Sequence, residues 1–110
     1  MKKILIVEDN EMNRDMLSRR LLRKGYEVKI AVDGAEGLLF MKEYQPDVVL
    51  MDMKMPIMDG YEATARIKLL KPLLPIIAQT AYAMPEEQEK GFKAGCDSYL
   101  SKPVDPEVLI

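Results

Sequence analysis

Histidine is absent from this 110-residue sequence. That removes the usual general base near neutral pH and the usual ligand for transition metals, leaving carboxylates, Lys, Ser, Thr and Tyr to carry any chemistry. Cysteine occurs once, at Cys96, so an internal disulfide is excluded. A single thiol suits a reducing cytoplasm, and next to Gly95 it reads as a small packing residue. No apolar run approaches the ~18 residues of a membrane span, and there is no signal-peptide pattern. A cytoplasmic protein without a membrane segment is expected. Neither sign of charge dominates: 16 basic and 18 acidic residues give a net charge of -2. Nucleic-acid binding, which usually needs a strongly basic face, is not expected.

What is present is an ordinary globular composition, 48% hydrophobic and 31% charged, in a length suited to one domain over residues 1–110 with a real core. The stretch Val48-Val49-Leu50-Met51-Asp52 organises the rest. A short apolar run bounded by the turn at Pro56 reads as a buried parallel strand, with Asp52 at its carboxyl end. Lys2 to Val7 is a second such run and also ends in acid, at Glu8-Asp9. Asn10 or Asp9 caps a helix to about Lys24, stopped by Gly25. Met12, Met16, Leu17 and Leu21 recur at helical spacing and are expected to face the core, with Arg14, Arg20, Arg23 and Lys24 on a basic outer face. Tyr26 to Ala31 alternates like a less buried strand. Asp33-Gly34 leads a second helix from about Ala35 to Tyr44, closed by Pro46. Of Leu39, Phe40 and Met41, one is expected to be exposed.

Asp59-Gly60 precedes a third helix to Leu70, with Ala63, Ile67 and Leu70 expected inward. Ile76 to Ala78 is the fourth strand and ends at Gln79-Thr80-Ala81. Pro85-Glu86-Glu87 starts a helix, with Pro in the first turn and acids at the positive dipole end. It stops near Gly95. Ser98-Tyr99-Leu100 is a short fifth strand leading to Ser101-Lys102-Pro103. A fifth helix begins at Asp105-Pro106-Glu107, and with the chain stopping at Ile110 it is expected to be cut short.

Strands alternating with helices imply a parallel sheet with right-handed crossovers and helices on both faces. The strand ends then bring Glu8, Asp9, Asp52, Thr80 and Lys102 to one edge, where open α/β sheets place their ligand crevice. Like charges about 4 Å apart repel by roughly 4 kcal/mol at an effective dielectric near 20. Three acids and Lys102 leave a formal -2, which a divalent cation cancels, and hard oxygen ligands favour Mg²⁺ or Mn²⁺. Asp52 is a competent nucleophile towards phosphorus. Lys102 is placed to pair with one phosphoryl oxygen, and the Thr80 hydroxyl and Ala81 amide to bond others.

Those residues carry a family likeness. Ile-Val-Glu8-Asp9, Leu-Met-Asp52-Met-Lys-Met55-Pro56-Ile-Met-Asp59-Gly60, Thr80-Ala81 and Lys102-Pro103 resemble the receiver domain of two-component response regulators, over residues 2 to about 106. Asn10, Asn13, the stretch Ala78 to Met84, and Gly95-Cys96-Asp97 look most like receivers of hybrid histidine kinases. The resemblance implies a flavodoxin-like, doubly wound (βα)5 three-layer sandwich with strand order 2-1-3-4-5. It implies that Asp52 accepts a phosphoryl group from a phosphohistidine on a histidine kinase or histidine phosphotransfer protein. It implies Mg²⁺ among Glu8, Asp9, Asp52 and the Lys54 backbone carbonyl, with Thr80 and Lys102 on the phosphoryl group. It makes Thr80 and Tyr99 the switch pair that signals to a downstream target. Such a domain catalyses only its own phosphorylation and dephosphorylation.

Two other classes share parts of this pattern. A flavin- or nucleotide-binding module needs a Gly- or Ser/Thr-rich phosphate loop after the first strand, where Glu8-Asp9-Asn10-Glu11 instead repels phosphate. A phosphohydrolase with an Asp nucleophile wants a second acid two residues beyond Asp52, and Lys54 stands there.

Overall fold

The computed structural model describes residues 2–53, 55, 58–80 and 84–101. The elements run β1 (Lys3–Val7), α1 (Glu11–Arg23), β2 (Glu27–Ala31), α2 (Gly34–Phe40), β3 (Val48–Asp52), α3 (Gly60–Leu70), β4 (Ile76–Thr80), α4 (Pro85–Ala94) and β5 (Ser98–Ser101). All neighbouring strands pair in parallel, in the order β2-β1-β3-β4-β5. This is the expected flavodoxin-like arrangement with four helices among the described residues. The expected fifth helix lies outside them. No described helix is long and apolar enough to cross a membrane.

Period-two alternation divides the strands between two cores. Leu5, Val7, Val49, Met51, Ile76 and Ala78 point to one face, where they pack with Ala63 and Ile67 of α3. Ile4, Ile6 and Leu50 point to the other face and pack with Leu17 and Leu21 of α1. The central strands β1 and β3 are buried on both faces, which is why they read as continuous apolar runs. β2 lies at an edge and buries only Ala31 fully.

Local chemistry sets the helix limits. Asn10, Asp33 and Asp59 each cap a helix with a side-chain oxygen that accepts the amide three residues on. Gly25 (φ 91) and Gly95 (φ 117) end α1 and α4 in left-handed backbone.

Several expectations are corrected. Met12 and Met16 do not face the core; they are 74% and 41% exposed, whereas Leu17 and Leu21 are buried as expected, with Ser18 beside them. Leu70 lies outside the α3 core contact and is exposed, like Leu69. α2 ends at Phe40, and residues 41–43 continue as turns. Leu39 is the exposed member of its apolar trio, and with Leu69 and Leu70 it lines an open groove between α2 and α3. Cys96 is buried against the Thr64 hydroxyl at 3.7 Å, and burial raises its thiol pKa.

Candidate functional site at the carboxyl edge of the sheet

The strand register decides which polar groups meet. Val7 pairs with Met51, and Met51 with Ala78, so Glu8 and Asp52 each follow directly on this cross-sheet row. Asp52 pairs in turn with Gln79, one residue before Thr80. Glu8, Asp52 and Thr80 are buried and Asp9 is exposed. The carboxylates of Glu8, Asp9 and Asp52 each present an oxygen, and these oxygens lie within 4.8 Å of one another.

The donor set can be tested against a divalent ion. About 2.1 Å from Mg²⁺ to each oxygen puts opposite ligands of an octahedron about 4.2 Å apart. Three carboxylate oxygens within 4.8 Å match that span to within a small closure. They are hard, anionic and all oxygen, the chemistry that suits Mg²⁺ or Mn²⁺ and not a thiolate- or imidazole-bound metal. Glu8, Asp9 and Asp52 therefore fit a hard divalent cation.

Two features hold the acids in place. The Glu8 amide donates to the Ala31 carbonyl at 3.1 Å, tying the end of β1 to the end of β2. The Gly60 amide donates to the Met53 carbonyl at 3.2 Å, which brings the start of α3 against the residue after Asp52. A Cβ on Gly60 would overlap the Asp52 carbonyl oxygen and Met53. Glycine is required there by the closeness of the two backbones. Asp59-Gly60 is legible in the sequence as a helix start, but this second role is not.

Tyr99 sits one strand further along the same row, paired with Ala78. It is half-buried, its hydroxyl donates to the Glu87 carbonyl at 2.6 Å, and its ring meets Phe92 edge to face at 5.8 Å. Gly91 leaves room for that ring, since a Cβ there would overlap it. Burial, followed by a hydrogen bond with Tyr61, pushes the Tyr99 phenol well above its ordinary range. Tyr61 in turn lies under the Lys90 ammonium, 4.3 Å from the ring centre. Sequence reasoning singled out Tyr99 but missed this bridge from α3 to α4.

Lys102, Ala81 and the Lys54 carbonyl, each expected at the site, lie outside the described residues. The described set joins Glu8, Asp9 and Asp52 directly and places Thr80 at the end of the adjoining strand.

Comparisons with known proteins agree on one family. The family described as "Response regulator receiver domain" matches residues 4–110. The sensor histidine kinase RcsC of Escherichia coli (strain K12) is 43% identical over 106 residues, covering 96% of this chain and 11% of that protein. Hybrid signal transduction histidine kinase I of Dictyostelium discoideum is 38% identical over 98% of this chain and 7% of that protein. The chain thus spans about a tenth or less of the length of these kinases. The polar-differentiation response regulator DivK of Brucella ovis is 38% identical, with 94% of this chain and 85% of DivK covered. Among solved structures, chemotaxis protein CheY4 of Vibrio cholerae has a TM-score of 0.93 at 35% identity, covering 99% of this chain and 92% of CheY4. The receiver domain of the sensor histidine kinase PA1611 of Pseudomonas aeruginosa PAO1 has a TM-score of 0.90 at 35% identity, covering 98% of this chain and 90% of that one. That structure is described with a magnesium ion coordinated in its active site cleft.

Proposed function

The chain belongs to the response regulator receiver domains, and from that premise we propose that Asp52 is its phosphoacceptor in a two-component phosphorelay. The observation that carries this reading is the meeting of Asp52 with Glu8 and Asp9 at the carboxyl edge of the sheet, oxygens within 4.8 Å. Nothing about a buried apolar strand requires three acids at its end. A site that handles a phosphoryl group with a metal does.

In the proposed step an Asp52 carboxylate oxygen attacks the phosphorus of a phosphohistidine on a histidine kinase or histidine phosphotransfer protein. The new P–O bond forms as the P–N bond breaks, and the electron pair leaves on the imidazole nitrogen. Attack of water on the acyl phosphate later releases inorganic phosphate and restores the carboxylate. Mg²⁺, or Mn²⁺, held by Glu8, Asp9, Asp52 and the Lys54 carbonyl would neutralise the acids and the incoming phosphoryl oxygens. Lys102 pairs with one phosphoryl oxygen, and the Thr80 hydroxyl and Ala81 amide bond others. Thr80 drawn towards the phosphoryl group alters the space available to Tyr99 on the adjoining strand, biasing a two-state surface around α4 for a downstream target. We take residues 1–110 as a single domain working in the cytoplasm.

Family membership leaves the phosphohydrolase and the flavin- or nucleotide-binding module without support. The direct test is intact mass after incubation with phosphoramidate or acetyl phosphate and Mg²⁺. Wild type is expected to gain one phosphoryl group and Asp52→Asn none. Beryllofluoride, whose BeF₃⁻ stands in for the phosphoryl group, is expected to shift the Thr80 and Tyr99 resonances in wild type alone. No mass gain in wild type, or an equal gain in the variant, overturns the assignment.

A further inference from the structure

Arg14 sits in the first turns of α1, four residues after the helix cap Asn10. A cation there opposes the positive end of the helix dipole, so its presence calls for a local reason. It is not an outward member of the basic face of α1, as helical spacing suggests; the side chain is half-buried and turns back on the chain. Its Nη1 donates to the Glu8 carbonyl at 3.2 Å and to the Asp9 carbonyl at 2.9 Å. Both bonds go to backbone oxygens and neither to a carboxylate; the Glu8 carboxylate itself accepts from the Asn10 amide at 3.5 Å. On the other side of the same loop, the Glu8 amide is tied to the Ala31 carbonyl and the Arg14 amide to the Asn10 carbonyl. Asn10 Oδ1 accepts from Asn13.

We propose that Arg14 is a positioning residue of the metal site: by gripping both carbonyls it fixes the backbone that presents the Glu8 and Asp9 carboxylates to a divalent cation. The inference rests on the reading of this cluster as a Mg²⁺ site. Charge and bracing predict opposite signs. A guanidinium beside the cluster repels a divalent ion, so on charge alone its removal tightens Mg²⁺ binding. As a brace its removal loosens binding, because two acids on an unpinned loop must be ordered when the ion arrives. Groups that orient metal ligands typically govern affinity by 10- to 100-fold. The lower end of that range applies here, since the bonds from the Glu8 and Asn10 ends of the loop survive.

The test is Mg²⁺ affinity from ¹H–¹⁵N NMR titration of the whole chain, with the urea midpoint measured in parallel. Arg14→Ala is expected to weaken Mg²⁺ binding about tenfold and to speed amide hydrogen exchange at Asn10, leaving the midpoint nearly unchanged. Arg14→Lys keeps the charge, but its ammonium ends one bond short of the position of Nη1, and it is expected to fall between wild type and Arg14→Ala. Arg23→Ala, at the far end of the same helix, is expected to bind as wild type. Equal or tighter Mg²⁺ binding by both Arg14 variants overturns the brace, as does a loss matched by Arg23→Ala. If Arg14→Ala does not fold, Arg14→Lys alone decides, by weaker binding or by none. Failure of wild type to bind Mg²⁺ overturns the metal reading itself, and the brace with it.

Discussion

At the amino end of the sheet, Asp97 accepts from the Ile76 amide at 2.9 Å and from Lys68 Nζ at 2.7 Å, while Lys68 also donates to the Leu74 carbonyl at 2.7 Å. Asp47, at the same end, accepts from the Lys3 amide at 2.7 Å. At the carboxyl end three carboxylates crowd within 4.8 Å, two of them buried. The amino-end acids are separated, and each is set on a backbone donor at the start of a strand. They hold strands β4 and β1 in place. The carboxyl-end acids are set against each other. Within one sheet, identical functional groups are spaced to stabilise the fold at one end and concentrated at a cost in repulsion at the other. The latter arrangement suits the hard divalent cation and the phosphoryl group proposed for it.

The same substitution made at both ends separates the two uses most sharply. Asp52→Asn is expected to abolish phosphoryl transfer from a small-molecule donor, and Asp97→Asn to leave it at the wild-type level, both read by intact mass. Loss of labelling in Asp97→Asn without loss of structure would break the division, because that acid lies at the opposite end of β5 from the site.

The next largest effect concerns how tightly the carboxyl end is built. Gly60→Ala places a methyl group into the Asp52 carbonyl and Met53, and both are backbone or buried groups with little room to yield. Overpacking of this kind costs about 2 to 3 kcal/mol, which urea unfolding measures. An unchanged midpoint would show that α3 can back away from Asp52.

Asp97 supplies the smaller structural effect and a pH signature. Burial works to raise its pKa, but the Lys68 ammonium and the Ile76 amide outweigh that and hold it below the ordinary carboxylate value. A lowered folded pKa means that Asp97 contributes its full stability above the unfolded value near 3.9. The contribution is lost as pH falls through the lower, folded value. Asp97→Asn is therefore expected to cost about 1 kcal/mol at pH 7, discounted for the half-exposed carboxylate. The gap between variant and wild type is expected to close as unfolding is followed down from pH 5 to pH 2. A gap that stays constant with pH assigns the loss to shape and not to charge.

Much of this contrast was legible before the structure. Glu8, Asp9, Asp52 and Thr80 could be placed because apolar runs ending in polar residues, alternating with helices, have one parallel solution, and parallel strands put those ends together. Asp97 was not legible as a strand anchor. It lies one residue before its strand, and its partners Ile76 and Lys68 are 21 and 29 residues away. Arg14 followed the basic stripe of α1 in sequence, and only the turn of its side chain back onto the loop distinguishes it from Arg23. Met12 and Met16 misled because, at about 100° per residue, they lie on the far side of α1 from Leu17, Ser18 and Leu21, and Leu70 misled because it is the last residue of α3, beyond the buried Ile67.

The smallest effect is the most diagnostic. Asp52→Asn preserves volume and removes one of three negative charges. Like charges at this separation repel by roughly 3 kcal/mol at an effective dielectric near 20. Part of that is offset by the bonds a buried carboxylate makes and an amide makes less well. The net expectation without divalent ions is a gain of about 1 kcal/mol in unfolding free energy, the opposite sign to Asp97→Asn. On the proposed reading, Mg²⁺ binds the native wild type and not its unfolded chain, so adding it is expected to stabilise wild type by RT ln(1 + [Mg²⁺]/Kd) and the variant less. The gain in the variant is therefore expected to shrink, then reverse, as Mg²⁺ is raised in urea unfolding. A variant that is less stable than wild type in EDTA would mean that the cluster is held together by more than it is driven apart, and the contrast between the two ends of the sheet would lose its energetic basis.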